Sequence, residues 1–302
     1  MAGLEILQHT LGSPVGFAGV GVHSGRHVHV TLRPAPVDSG VVFVRVDLPG
    51  PANRIPVRPE SVVGTQLNTE VGAGGGVTVS TVEHLLAAFA ALSVDNVVVE
   101  VDGPELPIMD GSAAPFIVLI DRAGRRAQAA PRRYIEIMAP IEVIAGDKRA
   151  ALTPCSTAHP GLEIDFEIAF RSPAIGRQHI ALRVDEQTFR RELAGARTFG
   201  FVHEVAALRA QGLARAGSLD NAIVVDGDRI LNPEGLRFSN EFVRHKALDA
   251  VGDLYVLGAP VLGRFEARYA GHALNNALIR AVGAEPAAWR IRTFATDLAQ
   301  AV

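Results

Sequence analysis

Strand-like and helix-like segments follow one another irregularly along this 302-residue chain, and this order restricts the fold more than any other feature. Apolar and polar residues alternate through residues 27–32 and 162–170, as in half-buried strands. Helical patterns occur at residues 84–92, 113–123, 187–193, 202–211, 239–258 and 272–282. Because the regular βαβ alternation of a doubly wound sheet is missing, the sequence predicts an α+β fold with helices layered on sheets.

Local signals sharpen several of these boundaries. Ser80 and Glu83 have the spacing of a helix capping box, while Ser239 and Gly258 suit the two ends of the long helix. Further strands are predicted at residues 40–46, 97–101 and 261–269. The turn Asp226-Gly227-Asp228 predicts a hairpin between residues 222–225 and 230–231.

The segment from Asp121 to Tyr134 is basic and rich in Ala, Gly and Pro, without a sustained apolar period. Such composition is typical of a linker between domains. We therefore expect two domains, at residues 1–125 and 133–302, each of ordinary size for an independent core.

Composition excludes several classes of protein. A net charge of −3 argues against nucleic acid as the main partner. A single cysteine, Cys155, cannot form an internal disulfide or a thiolate zinc cluster, which favours a reducing compartment. With no signal-peptide pattern and no apolar run of about 18 residues, we expect a cytoplasmic protein without a transmembrane segment. Of the 29 basic residues only Lys148 and Lys246 are lysines, which makes both conspicuous.

The predicted helix at residues 239–258 carries His245 and Asp249 four positions apart, on one face. This spacing lets an imidazole and a carboxylate bind a single ion, although a surface His/Asp pair is an alternative. In the first half His84 directly follows Glu83, whose alternative role is structural, as a capping residue. Two histidines and an aspartate would leave a fourth zinc position for water, and a neighbouring carboxylate could take its proton.

The remaining histidines carry weaker signals. His27 and His29 share one strand face, where simple exposure is a more ordinary explanation than metal binding. His23 lies in the glycine-rich segment 19–25, which indicates a close approach of the backbone and a possible substrate contact. The others are expected to be solvated or structural: His9, His159, His179 and His203.

Five ordered motifs extend these observations over almost the whole chain. They are Ser80-Thr-Val-Glu-His84, Pro107-Ile-Met-Asp-Gly-Ser-Ala113, Arg197-Thr-Phe-Gly-Phe201, His245-Lys-Ala-Leu-Asp-Ala-Val-Gly-Asp253 and Gly271-His-Ala-Leu-Asn-Asn276. Together they resemble the zinc-dependent UDP-3-O-acyl-N-acetylglucosamine deacetylases, which catalyse the committed step of lipid A synthesis. The resemblance implies two similar α+β domains with the active site at their interface.

The resemblance also implies residue roles. The zinc ligands would be His84, His245 and Asp249, with Glu83 as the general base on the water. His272 would be the electrophilic or general-acid partner and Asp253 would hold its imidazole. A hydrogen-bonded carboxylate should outweigh a helix dipole, so we expect His272 to be charged at neutral pH. Thr198 would hydrogen-bond the oxyanion.

Substrate contacts follow from the same resemblance. Lys246 would meet the diphosphate and Phe170 would stack on the uracil. The insert at residues 196–220 would enclose an apolar passage for the acyl chain. The remaining contacts to be expected are Phe199, Phe201, His23 and Leu67, with Val205, Leu208 and Leu213 along the passage wall.

Two departures from the family pattern are visible. Asn68 stands where some members carry a cysteine, which should remove an extra sulfur ligand. His203-Glu204 follows the Phe-Gly-Phe motif in place of the family's usual acidic position and should alter the polarity of the passage mouth. Two alternative functions stay open: a zinc amidohydrolase acting on another acylated amino-sugar, and an inactive homologue that binds nucleotide sugars. We expect the protein to be a monomer, and its partner to be a small-molecule UDP-sugar that carries an acyl chain.

Overall fold

The computed structural model describes residues 6–156 and 160–294, in which helices and several sheets are mixed as predicted for an α+β fold. His159 lies outside these residues. None of the helices described is long and apolar enough to cross a membrane. The α-helical segments are α1 (Glu83–Ala91), α2 (Ala114–Ala123), α3 (Glu186–Thr188), α4 (Val202–Ala210), α5 (Glu241–Tyr255) and α6 (His272–Ala284).

A five-stranded sheet dominates the first half. Its strands lie in the order β2-β3-β9-β4-β5, where β4 and β9 are parallel and the other neighbours antiparallel. Valines on alternate positions of β9 point into the core, as the period of two requires. The bounds are β1 (Leu7–Leu11), β2 (Val15–Val20), β3 (His27–Pro34), β4 (Val41–Arg45), β5 (Arg54–Pro56), β6 (Val62–Gly64), β7 (Glu70–Gly72), β8 (Thr78–Val79) and β9 (Val97–Val101).

A seven-stranded sheet dominates the second half. Its path β12-β13-β19-β11-β20 is extended by β14 and β15, with β14 parallel to β19. The predicted alternation at residues 162–170 is confirmed as β14. The bounds are β10 (Arg125–Pro131), β11 (Tyr134–Ile137), β12 (Ile141–Ala145), β13 (Lys148–Thr153), β14 (Leu162–Ala169), β15 (Arg177–Val184), β16 (Phe199–Phe201), β17 (Ile223–Asp226), β18 (Arg229–Ile230), β19 (Val261–Arg268) and β20 (Trp289–Arg292).

Two small sheets complete the architecture. Strands β6, β7 and β8 pair antiparallel just before α1. Strand β16 of the insert pairs parallel with β17, which follows the insert, and β17 forms the predicted hairpin with β18. Strands β6–β8 directly precede α1 in sequence, and β16 begins two residues after Arg197, which pairs with Glu241 at the start of α5.

Several boundary predictions are wrong. The capping box at Ser80 does not form, because α1 begins at Glu83 with Val82 in the cap position and no side-chain cap. The long helix begins at Glu241 and not at Ser239. Residues 187–193 form the short α3, capped by the Asp185 side chain, and then a π-helical turn.

Half of the predicted linker is a strand, and its first three residues belong to α2. Residues 125–131 form β10, which pairs antiparallel with β1 at the start of the chain. Most side chains of β10 are exposed, and the strand pairs with a single partner. Small and basic residues are therefore tolerated there, and the sequence shows no alternation of apolar and polar residues.

Helices α1 and α5 pack directly against each other in the core. A Cβ added to Gly252 would lie 2.0 Å from the Glu83 carbonyl oxygen, so the helix backbones approach more closely there than any other residue would allow. Nearly all residues of both helices are buried. This contact places the start of α1 beside the middle of α5.

Candidate functional site

The contact of α1 with α5 brings together three potential metal ligands. His84, His245 and Asp249 are buried and offer ligand atoms within 4.8 Å of one another. The Nε2 atoms of His84 and His245 lie 3.6 Å and 3.3 Å from Asp249 Oδ1. That oxygen is buried and accepts no hydrogen bond from the described residues. A buried carboxylate oxygen without a donor is costly unless a cation binds it, so the geometry fits a metal ion.

His245 is prepared as a ligand by its environment. Its Nδ1 lies 3.1 Å from the Ala196 carbonyl oxygen, which can only accept, so the ring donates there and Nε2 keeps its lone pair. Burial lowers the pKa of His245 to about 3, despite the opposing charge of Asp249. The imidazole is therefore neutral, as metal binding requires.

The second oxygen of Asp249 meets two cationic groups. Lys246 Nζ donates to Asp249 Oδ2 at 2.9 Å, and His272 Nε2 lies 3.7 Å from the same oxygen. Burial alone raises the pKa of Asp249, but His245 and Lys246 together hold it well below its usual range. The carboxylate is thus ionised in a buried position.

Glu83 is the first residue of α1, and its side chain turns away from the helix end it was predicted to cap. Its Oε2 accepts a hydrogen bond of 3.0 Å from the Thr69 backbone N–H, and its Oε1 lies 4.0 Å from His272 Nε2. Burial raises the pKa of Glu83 although His272 and His84 act in the opposite direction. A carboxylate in this state accepts a proton readily.

His272 begins α6, and its Nε2 lies near both Glu83 Oε1 and Asp249 Oδ2. Its Nδ1 donates to Asp253 Oδ2 at 2.9 Å. Asn275 donates to the same carboxylate oxygen at 2.8 Å. Burial lowers the pKa of His272, but the charge and hydrogen bond of Asp253 outweigh it and raise the pKa to about 9. This agrees with the charged imidazole expected from the sequence.

A cavity of about 770 Å³ opens above this group. Glu83, the three potential ligands and His272 line it, whereas Asp253 lies behind His272. Seven further residues to which the sequence gave contacts with the substrate or the oxyanion also line it: Thr198, Lys246, Phe199, Phe201, Phe170, His23 and Leu67. The tertiary structure thus collects into one cavity residues from positions 23 to 272 of the chain.

Thr198 is held by the backbone around it. Its N–H donates to the Gly111 carbonyl at 2.8 Å, and its carbonyl accepts from Ile223 N–H at 2.8 Å. The preceding residue, Arg197, is buried and pairs with the buried Glu241 at the start of α5. These contacts fix Thr198 at the cavity wall.

Three phenylalanines form an aromatic cluster in the wall. The ring centroids of Phe170 lie 5.5 Å from those of Phe199 and 5.8 Å from those of Phe201. The Phe199 ring also packs edge-on against Phe242 of α5 at 5.0 Å. The cluster therefore connects the insert to the helix that carries His245.

The His23 turn joins the first half to the insert. The buried Glu105 carboxylate accepts from the backbone N–H groups of His23 and Ser24 at 2.8 Å and 2.7 Å. The N–H of Ala214 donates to His23 Nδ1 at 3.3 Å. Burial lowers the pKa of His23, so its ring is suited to accept this bond.

The insert contributes Val205 and Leu208 of α4 to the cavity wall, as predicted. Leu213, in contrast, is half-buried and not among the lining residues described. Glu204 lines the cavity, and Asn68 is buried with its amide near the Gln66 carbonyl at 3.4 Å. Of the positions at which the sequence departs from the family pattern, Glu204 therefore faces the cavity, whereas Asn68 and His203 are not among the lining residues described.

Sequence reasoning missed three polar residues around the site. Lys148 on β13 lines the same cavity as Lys246, so both lysines of the chain are there. The scarcity of lysine in this arginine-rich chain was the one sequence feature that pointed to Lys148. Glu105 and Thr69 gave no signal, because their hydrogen bonds join residues far apart in sequence.

Four histidines for which the sequence favours no metal or substrate contact lie on the surface of the structure. His27 and His29 are exposed, and His29 pairs with Asp102 at 3.0 Å. His179 pairs with Asp165 on the neighbouring strand at 2.7 Å, a surface contact. His203 is exposed on α4.

Comparison with known proteins gives a consistent result. The model of the UDP-3-O-acyl N-acetylglycosamine deacetylase family matches residues 8–284. A protein of Phenylobacterium zucineum named UDP-3-O-acyl-N-acetylglucosamine deacetylase is 66% identical over 98% of this chain and 100% of its own length. Proteins of the same name from Anaeromyxobacter sp. and Shewanella sp. are 50% and 48% identical, each over 96% of this chain and 93% and 94% of their own.

Proposed function

Because this chain belongs to the UDP-3-O-acyl N-acetylglycosamine deacetylase family, we propose that it hydrolyses the N-acetyl group of a UDP-3-O-acyl-N-acetylglucosamine. Acetate and the free amine are the products, and the reaction is the committed step of lipid A synthesis. The observation that carries this proposal is the buried His84/His245/Asp249 group at the base of a cavity with an apolar wall.

We assign His84, His245 and Asp249 as ligands of zinc. Two imidazole nitrogens and one carboxylate oxygen are a donor set of the kind that zinc enzymes use, with one position left open. A zinc ion bound there would supply Lewis-acid polarisation and would lower the pKa of a bound water to about 7. The unpartnered Asp249 Oδ1 and the neutral His245 support this assignment.

Glu83 is the general base of the proposed reaction. It takes a proton from the attacking water while the oxygen of that water bonds to the amide carbon. The hydrogen bond from Thr69 N–H to Oε2 leaves Oε1 facing the site. Burial, which raises the pKa of the carboxyl, makes it a stronger base than an exposed glutamate.

His272 and Thr198 support the negative charge that develops on the amide oxygen. Both residues line the cavity, where the protonated imidazole of His272 and the hydroxyl of Thr198 would donate hydrogen bonds to that oxygen. The C–N bond then breaks, and the departing amine needs a proton from His272 or from protonated Glu83. Asp253 keeps His272 protonated and oriented.

The remaining cavity residues suit the other parts of the substrate. We assign Lys246 and Lys148 to the diphosphate, since ammonium groups bind phosphate oxygens as compact charges. Phe170 provides a stacking face for uracil, next to Phe199. Val205 and Leu208 line the passage for the acyl chain.

The expected organisation is part of this proposal. Residues 1–125 and 133–302 would form two domains, with the site at their interface and with the insert at residues 196–220. The chain would act as a monomer in the cytoplasm, on a small molecule and not on nucleic acid. Light scattering of the purified protein measures the oligomeric state.

Acetate release tests the function directly. Zinc-loaded protein is incubated with UDP-3-O-acyl-N-acetylglucosamine, and both products are measured. We expect acetate and the free amine to appear in equal amounts. The matched control is the Glu83→Gln variant at the same zinc content. Faster turnover of an acylated amino-sugar without UDP would favour a different amidohydrolase, and no turnover at all would favour an inactive binding protein.

A further inference from the structure

Thr69 lies between the two groups to which the proposed function assigns proton transfer. It directly precedes β7 and is buried, with 3% of its surface exposed. Glu83 is on one side of it and the Asp253–His272 pair on the other. No motif in the sequence points to this residue.

The backbone of Thr69 holds the start of α1. Its N–H donates to Glu83 Oε2 at 3.0 Å, and its carbonyl accepts from the Val82 N–H at 3.3 Å. In a capping box, hydrogen bonds at the helix start would engage the Glu83 carboxylate and a free backbone N–H. Here the two bonds to Thr69 engage them instead. The orientation of the Glu83 side chain is therefore set by Thr69 and not by its own helix.

The side chain of Thr69 holds the other catalytic group. Its Oγ1 lies 2.6 Å from Asp253 Oδ1, and because an ionised carboxylate only accepts, the hydroxyl donates. Asp253 Oδ2 accepts from His272 and from Asn275. His272 Nδ1 also lies 3.2 Å from Oδ1 and 3.4 Å from Thr69 Oγ1. Both carboxylate oxygens are thus hydrogen-bonded, and the plane of the carboxylate that orients His272 is fixed.

We propose that Thr69 is a positioning residue of this active site, whose hydroxyl aligns Asp253 and through it His272 while its N–H aligns Glu83. The proposal rests on the function proposed above and extends it to a residue that touches no substrate. One residue thereby positions both the general base and the imidazole, whose Oε1 and Nε2 atoms lie 4.0 Å apart. Substitution should disturb the chemical step more than substrate binding.

The test compares Thr69→Val, which removes the hydroxyl at equal size, with Thr69→Ser, which keeps it. Partners that orient catalytic groups typically contribute about 10- to 100-fold to activity, so T69V should lower kcat by that factor with little change in KM. T69S should recover most of the rate. Thr78→Val on β8 of the same small sheet is the matched control and should keep the wild-type rate.

Zinc content and thermal unfolding are measured for each variant. If Thr69 had a merely structural role, T69V would lower the zinc content and the unfolding temperature and would also change KM. If T69V does not fold, Thr69→Ala provides a second variant without the hydroxyl. A T69V enzyme with wild-type kcat, or a T69S enzyme as slow as T69V, would overturn the proposal.

A double-mutant cycle with Asp253→Asn isolates the pathway through Asp253. If the hydroxyl acts through this carboxylate, T69V should lower kcat by no more than about twofold in the D253N background. The same 10- to 100-fold loss in both backgrounds would show that Thr69 acts independently of Asp253. Acetate release by the wild-type enzyme is measured alongside, so that failure of the proposed function is distinguished from failure of this proposal.

Discussion

Helix α1 and helix α4 are equally long, at nine residues, yet they are built in opposite ways. Eight residues of α1 are buried, including Glu83 and His84, whereas none of α4 is. α1 packs against α5 in the core, and α4 lies on the insert with Val205 and Leu208 toward the cavity. The comparison separates two tasks: charged groups must be held by packing for chemistry, while an apolar wall needs only to exclude water.

This contrast predicts that substitutions in the helix pair act on metal binding and catalysis, and that substitutions in α4 act on substrate selection. The largest effect is expected at the ligands. His245→Ala should abolish zinc binding and acetate release, because it removes one of the two nitrogen donors. Metal analysis and activity are measured, with exposed His27→Ala as the control that should bind a full equivalent. Full zinc stoichiometry in H245A would contradict the ligand assignment.

The second expected effect concerns the acid and base. Glu83→Gln and His272→Ala should each lower kcat/KM by about 10²–10⁴-fold with zinc retained, the usual contribution of proton transfer. His272 acts in its protonated form, so kcat/KM of the wild type should fall as the pH rises through its pKa, which Asp253 raises. This alkaline fall should be absent in H272A. An unchanged alkaline limb in that variant would remove His272 from its role.

The third effect tests the close packing itself. Gly252→Ala places a methyl group 2.0 Å from the Glu83 carbonyl, so the helices must move apart and the ligands with them. Overpacking of this kind costs about 1–3 kcal/mol in unfolding free energy, and kcat/KM should fall as well. Gly283→Ala on α6 is the control, since its added methyl meets nothing within 4 Å. Equal stability and activity in both variants would show that the helix contact does not position the site.

The smallest expected effect lies in α4. Leu208→Asp should lower kcat/KM for the acylated substrate by at least tenfold, about 1.4 kcal/mol, and leave that for de-O-acylated UDP-N-acetylglucosamine nearly unchanged. The control is Ala206→Asp, which adds the same charge at an exposed position of the same helix. In the wild type the two substrates should differ by more than tenfold. A smaller difference would refute the acyl passage and favour a less selective amidohydrolase.

The sequence by itself determined the elements and the chemical character of the site. β14 and α5 follow from apolar periods of two and of 3.6, which are local properties of the chain. The pairing of His245 with Asp249 follows from the same helical period, because residues four apart share a face. The family motifs assigned His84 and His272 to the same site as that helix, to which no local pattern connects them.

Only the tertiary structure decided which groups these residues meet. Glu83 bonds to Thr69, 14 positions earlier, where local spacing predicted a cap. The hydroxyl of Thr69 reaches Asp253, 184 positions away, and β10 pairs with β1 where composition predicted a linker. The physical reason is that a hydrogen bond between distant segments depends on how the core packs; the close approach of α1 and α5 at Gly252 is one example. Periodicity and spacing in the sequence carry information only about the conformation of residues that are close together along the chain.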